Sequence, residues 1–126
     1  MAQDFKRQLT IACFDLQNGH CYLCDTPIRT AQDLTLDHIW PKAHGGSDLP
    51  PNRAVAHWTC NNRKGSREPT TGELLIGELL AIGLAGRFEL NLGAQHAAMR
   101  HTPKWKEGNP TFETALSVAL KAAGFR

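Results

Sequence analysis

No stretch of this chain approaches the roughly 20 consecutive apolar residues that a membrane-spanning helix needs. The opening segment Met1-Ala2-Gln3-Asp4-Phe5-Lys6-Arg7 has no continuous apolar core of the kind a signal peptide carries. A cytoplasmic protein with no membrane contact is the expectation. Charge of one sign is also lacking, because 14 Lys and Arg stand against 12 Asp and Glu for a net +2. A polyanionic partner would have to be met through a local basic patch, not through the field of the whole molecule. Cysteine is scarce, at four residues, yet three of them fall in short spacings with each other or with a histidine. In a reducing compartment that pattern favours a metal site over disulfides. Repeats and low-complexity segments are absent, and a length of 126 residues supports a single domain spanning 1–126. A chain of that size buries roughly two-thirds of its unfolded surface, so a metal staple would help any part made mostly of loops.

What is present orders itself by apolar spacing and by turn residues. Phe5, Leu9, Ala12, Cys13 and Leu16 recur at helical intervals and predict a helix from about Asp4 to Gln17, stopped by Asn18-Gly19. His20 to Pro27 reads as a tight knuckle, Leu34 to His38 as a short strand and Arg53 to Ala56 as a second one. Pro41, Gly45-Gly46 and Pro50-Pro51 force a loop between the two strands. Trp58 to Lys64 reads as a short helix closed by Gly65, with Trp40 and Trp58 as core anchors. Further on, Thr70-Thr71-Gly72-Glu73 fits a capping box ahead of the broad apolar face of Leu74, Leu75, Ile76, Leu79, Leu80 and Ile82. Phe88 to Leu92 alternates as a short strand would, and a connection between helices fits it equally. Asn109-Pro110 opens a last helix that Gly124 ends, with Phe112, Leu116, Ala119 and Leu120 as its packing stripe. The expected layout is a core at about 20–66 and a helical extension at about 70–126.

Cys21 and Cys24 form one candidate ligand pair, and His57 and Cys60 a second. A Cys-X-X-Cys turn sets two thiolates on one side of a cation, and a second pair completes a tetrahedron with no open position, as in structural zinc sites. Cys13 and His20 are alternatives to His57, although Cys13 lies on the apolar stripe of the first helix and reads more simply as a packed thiol. Such a zinc would tie the knuckle to the base of the helix at Trp58 and do no chemistry itself.

Asp37-His38 closes the first strand, and Cys60-Asn61-Asn62-Arg63-Lys64-Gly65 runs through the short helix. An imidazole titrating near neutrality is the natural group to take a proton from water. A neutral amide oxygen such as that of Asn61, beside a carboxylate, suits a hard cation that keeps several waters. Together with Asn52 and the zinc pairs, these residues make the segment from Cys21 to Gly65 resemble the HNH nucleases, in the variant whose motif ends in asparagine. The separations from His38 to Asn52 and from Asn52 to Asn61 recur in that variant. In the family the second zinc pair is usually also Cys-X-X-Cys; His57 stands here for its first cysteine, a conservative exchange because neutral imidazole binds zinc well.

The resemblance implies an α+β protein with a zinc-stapled ββα-metal core, framed by an N-terminal helix and C-terminal helices. It implies His38 as general base, Asn52 bracing the loop and orienting His38, and Asp37 with Asn61 holding a single magnesium or manganese ion. It implies hydrolysis of DNA, double-stranded by expectation, leaving 5′-phosphate and 3′-hydroxyl ends. Lys64, one helical turn past Asn61, corresponds to a lysine that meets the phosphate as a point charge. Arg63 and Arg53, with Lys42 and Arg67, add a modest basic bias suited to backbone contact without base reading. His44 reads as a solvent-exposed loop residue, and His96 and His101, which share no helix face, take no metal role.

Two other readings stand beside the nuclease. A zinc-dependent nucleic-acid-binding module without catalysis would use Arg53, Arg63, Lys64 and Arg67 on phosphates, but would need none of Asp37, His38 and Asn61. An accessory nuclease active only inside a larger phage or defence assembly would use the tail after Glu68 as a docking surface.

Overall fold

The computed structural model describes residues 2–91 and 93–95. Helix α1 (Ala2–Leu16) opens the chain. Strands β1 (Leu34–His38) and β2 (Arg53–His57) pair antiparallel, with Leu34 opposite His57 and His38 opposite Arg53. Helix α2 (Trp58–Lys64) follows β2 with no intervening residue, and α3 (Thr71–Phe88) completes the described elements. The class is α+β: an N-terminal helix, a two-stranded hairpin followed by a helix, and a C-terminal helix.

Helix α1 stops where the sequence predicts, because Asn18 (φ 53°) and Gly19 (φ 70°) both take the left-handed conformation. Its stripe of Leu9, Ala12 and Cys13 is buried against β2, whose Ala54, Val55 and Ala56 are fully covered. Just past the helix, Gln17 acts as a surrogate strand. Its Nε2 donates to the Val55 carbonyl (2.9 Å) and its Oε1 accepts from the Val55 N–H (2.8 Å). The Tyr22 N–H donates to the same carbonyl at 3.1 Å, so at Val55 the outer edge of β2 is satisfied and not left open to pairing.

The segment between the strands is long but pinned. Gly45 adopts φ 80°, and Gly46 passes so close to the chain that an added Cβ would sit 1.8 Å from the Trp40 carbonyl oxygen. Only glycine fits that crossing. Helix α3 carries the expected capping box between Thr70 and Glu73 and rests Leu74, Gly77, Leu80 and Leu84 on α1 and on the turn at Pro50–Asn52.

One pair of alternatives is narrowed to the connection after a helix, and two expectations change. Phe88 is the last residue of α3 and Glu89 (φ 53°) caps it, so the alternating pattern at Phe88 to Leu92 is not a strand as far as the described residues run; Leu92 lies outside them. Trp58 is 54% exposed, because following β2 directly turns the first residue of α2 away from the core, whereas Trp40 is buried as expected. His44 is half-buried, its Nε2 donating to the Ser66 carbonyl at 2.8 Å. The expected helix from Asn109 to Gly124, and His96 and His101, lie outside the described residues. No helix among the described residues is long and apolar enough to cross a membrane.

Candidate active site and zinc centre

The knuckle and α2 bring the four candidate zinc ligands together: one donor atom each from Cys21, Cys24, His57 and Cys60, all within 4.8 Å of one another. The strand register makes this possible. His57 ends β2 and caps α2, so His57 and Cys60 lie within one helical turn, while Tyr22 ties the knuckle to the same strand. The Nδ1 of His57 faces the sulfurs, 3.3 Å from Cys24 Sγ and 3.8 Å from Cys60 Sγ. Its Nε2 donates to the Pro27 carbonyl at 2.9 Å, which leaves the Nδ1 lone pair turned inward, the orientation a ligand histidine needs. Cys21 Sγ accepts from the N–H groups of Leu23 (3.4 Å) and His57 (3.3 Å). Burial works against the Cys24 thiolate, but hydrogen bonds from the Thr26 hydroxyl and backbone overcome it and bring the thiol down to about 6. This donor set fits a closed structural zinc. Cys13 takes no part: it is fully buried on α1, and burial pushes its thiol up to about 12. His20 also stands aside, its Nδ1 bonded to the Asn18 carbonyl.

Asp37 and His38 are sequence neighbours whose side chains engage different partners, as alternation along a strand demands. Asp37 is buried; its Oδ2 accepts a short hydrogen bond from the Tyr22 hydroxyl and lies 3.2 Å from Lys64 Nζ. Burial, and then the Asp37 charge, push the Tyr22 hydroxyl well above its ordinary value, so it remains a donor. Both contacts fall on Oδ2, and Oδ1 takes part in neither. His38, with its side chain 21% exposed, bonds through Nε2 to Asp48 Oδ1 at 2.7 Å. Burial holds its pKa below the ordinary histidine value despite the Asp48 carboxylate, so the ring is neutral at neutral pH.

Asn52 is buried and braces the loop. Its Oδ1 accepts from the Trp40 N–H (2.8 Å), and its Nδ2 donates to the carbonyls of Trp40 (3.1 Å) and Ser47 (2.7 Å). Its backbone carbonyl accepts from the Ile39 N–H. None of these bonds reaches His38. Asn61 is half-buried on α2, three residues before Lys64, on the face that Lys64 turns towards the end of β1.

Of Lys64, Arg63 and Arg53, Arg63 alone is exposed. Lys64 is buried between Asp37 and the His38 carbonyl, to which Nζ donates at 2.9 Å. Arg53 is buried as well, its guanidinium donating to the carbonyls of Asp48 (3.3 Å) and Leu36 (3.4 Å). A groove of about 240 Å³ between the knuckle and α2 is bordered by Cys24, Cys60, Arg63, Lys64 and Arg67. Sequence reasoning missed Asp48 and Tyr22. Asp48 carried one faint signal, as the second carboxylate of an otherwise basic segment, and Tyr22 another, as the one tyrosine of the chain, seated inside the Cys-X-X-Cys turn.

Residues 21–67 match the model of the HNH endonuclease family. Comparison with curated proteins yields no match. The segment 21–67, which holds the Cys/His cluster, both strands and α2, is therefore an HNH endonuclease family domain, and such a domain implies a nuclease acting on nucleic acid.

Proposed function

We propose that the chain is a metal-dependent endonuclease that hydrolyses DNA phosphodiester bonds, with His38 as general base. The observation that carries this reading is a neutral, half-buried imidazole at the end of β1, anchored through one ring nitrogen with the other outside that bond. A binding module has no use for it. Asp37 and Asn61 would hold a magnesium or manganese ion, through the carboxylate oxygen that Tyr22 and Lys64 do not engage and through the amide oxygen. When bound, that ion supplies charge neutralisation at the phosphate and at the departing 3′-oxygen.

The protein's own groups do the rest. His38 takes the proton from the attacking water. Asn52 keeps the intervening loop in one conformation, and the buried Lys64 fixes the carboxylate of Asp37. Arg63, with Arg67 along the groove, meets the DNA backbone. The ends produced are 5′-phosphate and 3′-hydroxyl. The zinc holds the knuckle on α2 and stays out of the reaction. A reducing, cytoplasmic setting agrees with four free cysteines.

Plasmid cleavage by the zinc-loaded protein with magnesium, with manganese and with neither tests this, beside His38→Ala. The expected result is metal-dependent nicking or cutting that His38→Ala abolishes while zinc content and thermal unfolding stay as in the native protein. Cleavage that survives His38→Ala overturns the base assignment. A native chain that binds DNA under both metals and never cuts it is a zinc-dependent binding module instead.

A further inference from the structure

We infer that Asp48 is the positioning residue for His38, holding the imidazole as its Nε2–H tautomer so that Nδ1 is the atom that accepts the proton from water. The inference rests on the nuclease reading above and adds to it a residue that neither the motif nor the family match singles out.

A hydrogen bond of 2.7 Å joins His38 Nε2 to Asp48 Oδ1. An ionised carboxylate accepts and cannot donate, so the proton in that bond belongs to Nε2. Asp48 is ionised at any working pH, because the hydrogen bonds from His38 and then from Lys42 hold its carboxyl at about 2. A neutral imidazole carries one N–H; with it on Nε2, the lone pair lies on Nδ1.

The carboxylate is held from several sides although it is 66% exposed. Lys42 Nζ donates to Oδ2 at 2.9 Å, and the Arg53 guanidinium lies 3.7 Å from Oδ1 while donating to the Asp48 backbone carbonyl. On one side, the Ser47 carbonyl takes the hydrogen bond from Asn52 Nδ2; on the other, the Leu49 N–H donates to Ser47 Oγ. Asn52 therefore reaches His38 through Ser47 and Asp48, since it has no bond to the ring. This is how a buried asparagine far along the loop governs the geometry of the base.

Asp48→Asn separates tautomer control from packing. The amide keeps the size of the carboxylate, and Lys42, 2.9 Å from the Oδ2 position, holds the amide oxygen there more closely than Arg53, 3.7 Å from Oδ1, draws it the other way. Its NH2 then turns to Nε2 and selects the Nδ1–H tautomer, which leaves no base towards the water. The experiment records 15N chemical shifts of the His38 ring at a pH where it is neutral, in the native protein, Asp48→Asn and Asp48→Glu, each zinc-loaded. Plasmid cleavage kinetics are measured on the same samples. The expected result is an Nε2–H ring in the native protein and a majority of Nδ1–H in Asp48→Asn. Alongside it, kcat falls about 10- to 100-fold with KM within about twofold, and Asp48→Glu partly restores both signals. An Nδ1–H ring in the native protein, or an unchanged tautomer in Asp48→Asn, overturns the inference, as does unchanged kcat where the tautomer has moved. A native protein that shows the Nε2–H ring but never cuts DNA sinks the nuclease reading and leaves Asp48's hold on the ring standing, so the two failures are distinct.

Discussion

The ammonium of Lys64 lies 3.2 Å from Asp37 Oδ2 and donates to the His38 carbonyl at 2.9 Å, with the Lys64 and Asp37 side chains 1% and 9% exposed. Helix α2 is thereby closed onto the last two residues of β1, and the carboxylate assigned to the catalytic cation already has a buried counter-charge. Removing one partner of such a pair strands the other without compensation. Lys64→Ala should destabilise the protein by about 3 kcal/mol in urea unfolding. Unchanged stability with weakened DNA binding would instead put Lys64 on the phosphate.

The Cys21, Cys24, His57 and Cys60 cluster joins the knuckle to α2, so loss of a zinc held there should be structural first. Cys24→Ser and Cys60→Ser should each lose stoichiometric zinc and about 3 kcal/mol or more of stability, with cleavage falling because the fold is lost. Cys13→Ser should keep one zinc per chain, because that thiol is buried on α1 away from the cluster. Metal content by plasma emission spectroscopy, read beside thermal unfolding, checks both.

Asn52→Ala leaves the Trp40 N–H and the carbonyls of Trp40 and Ser47 without the partner they share. About 3 kcal/mol of stability should go with them, since buried polar groups stripped of a partner keep their full desolvation cost. Cleavage should fall further than stability predicts, because the loop also carries Asp48. Equal losses from Asn52→Ala and from a core truncation of matched destabilisation would reduce Asn52 to packing.

The pH dependence follows from two groups of opposite kind. The folded pKa of Asp48 is depressed to about 2 from 3.8, so its contribution is present above the unfolded value and disappears as pH falls towards 2. The stability difference between native protein and Asp48→Asn should therefore shrink over about pH 4 to 2. His38 is also depressed, chiefly by burial, so the unfolded chain takes up its proton first. That contribution is present above about pH 6.5 and declines below it. Denaturation curves in a pH series, repeated with His38→Ala, separate the two; a flat His38→Ala difference across about pH 7 to 5 would contradict the second.

Two glycines should answer alanine in opposite ways. Gly46→Ala places a methyl 1.8 Å from the Trp40 carbonyl oxygen and forces the loop apart, at a cost above about 3 kcal/mol. Gly86→Ala meets nothing within 4 Å on an exposed turn of α3 and should stabilise by up to about 1 kcal/mol through helix propensity. Thermal unfolding of both variants is sufficient, and a neutral Gly46→Ala would mean the loop has another path.

Much of the candidate site was legible because its residues have few other uses. Two ligand pairs at turn spacing, a carboxylate beside a histidine at a strand end, and asparagines at set distances all lie within a stretch that matches the family from residue 21 to 67. The strand ends and α2 were legible for a related reason: proline, glycine and the Asn18-Gly19 stop act locally, whatever packs on them. The tail was less so. Alternation at Phe88 to Leu92 fitted a strand and a connection after a helix equally, and only packing chose: α3 runs to Phe88 and ends on its cap at Glu89.

The sequence by itself determined which residue types lie within one turn or one strand of each other, because backbone geometry converts spacing into proximity without help from the rest of the chain. Only the tertiary structure decided where their charges point. Lys64 and Arg53 turned inward and Arg63 outward, and Tyr22 and Asp48 became partners of Asp37 and His38 across 15 and 10 residues. Those pairings depend on how α1, the knuckle and the pinned loop pack around the hairpin, where burial makes an unpartnered charge costly enough to choose its neighbour.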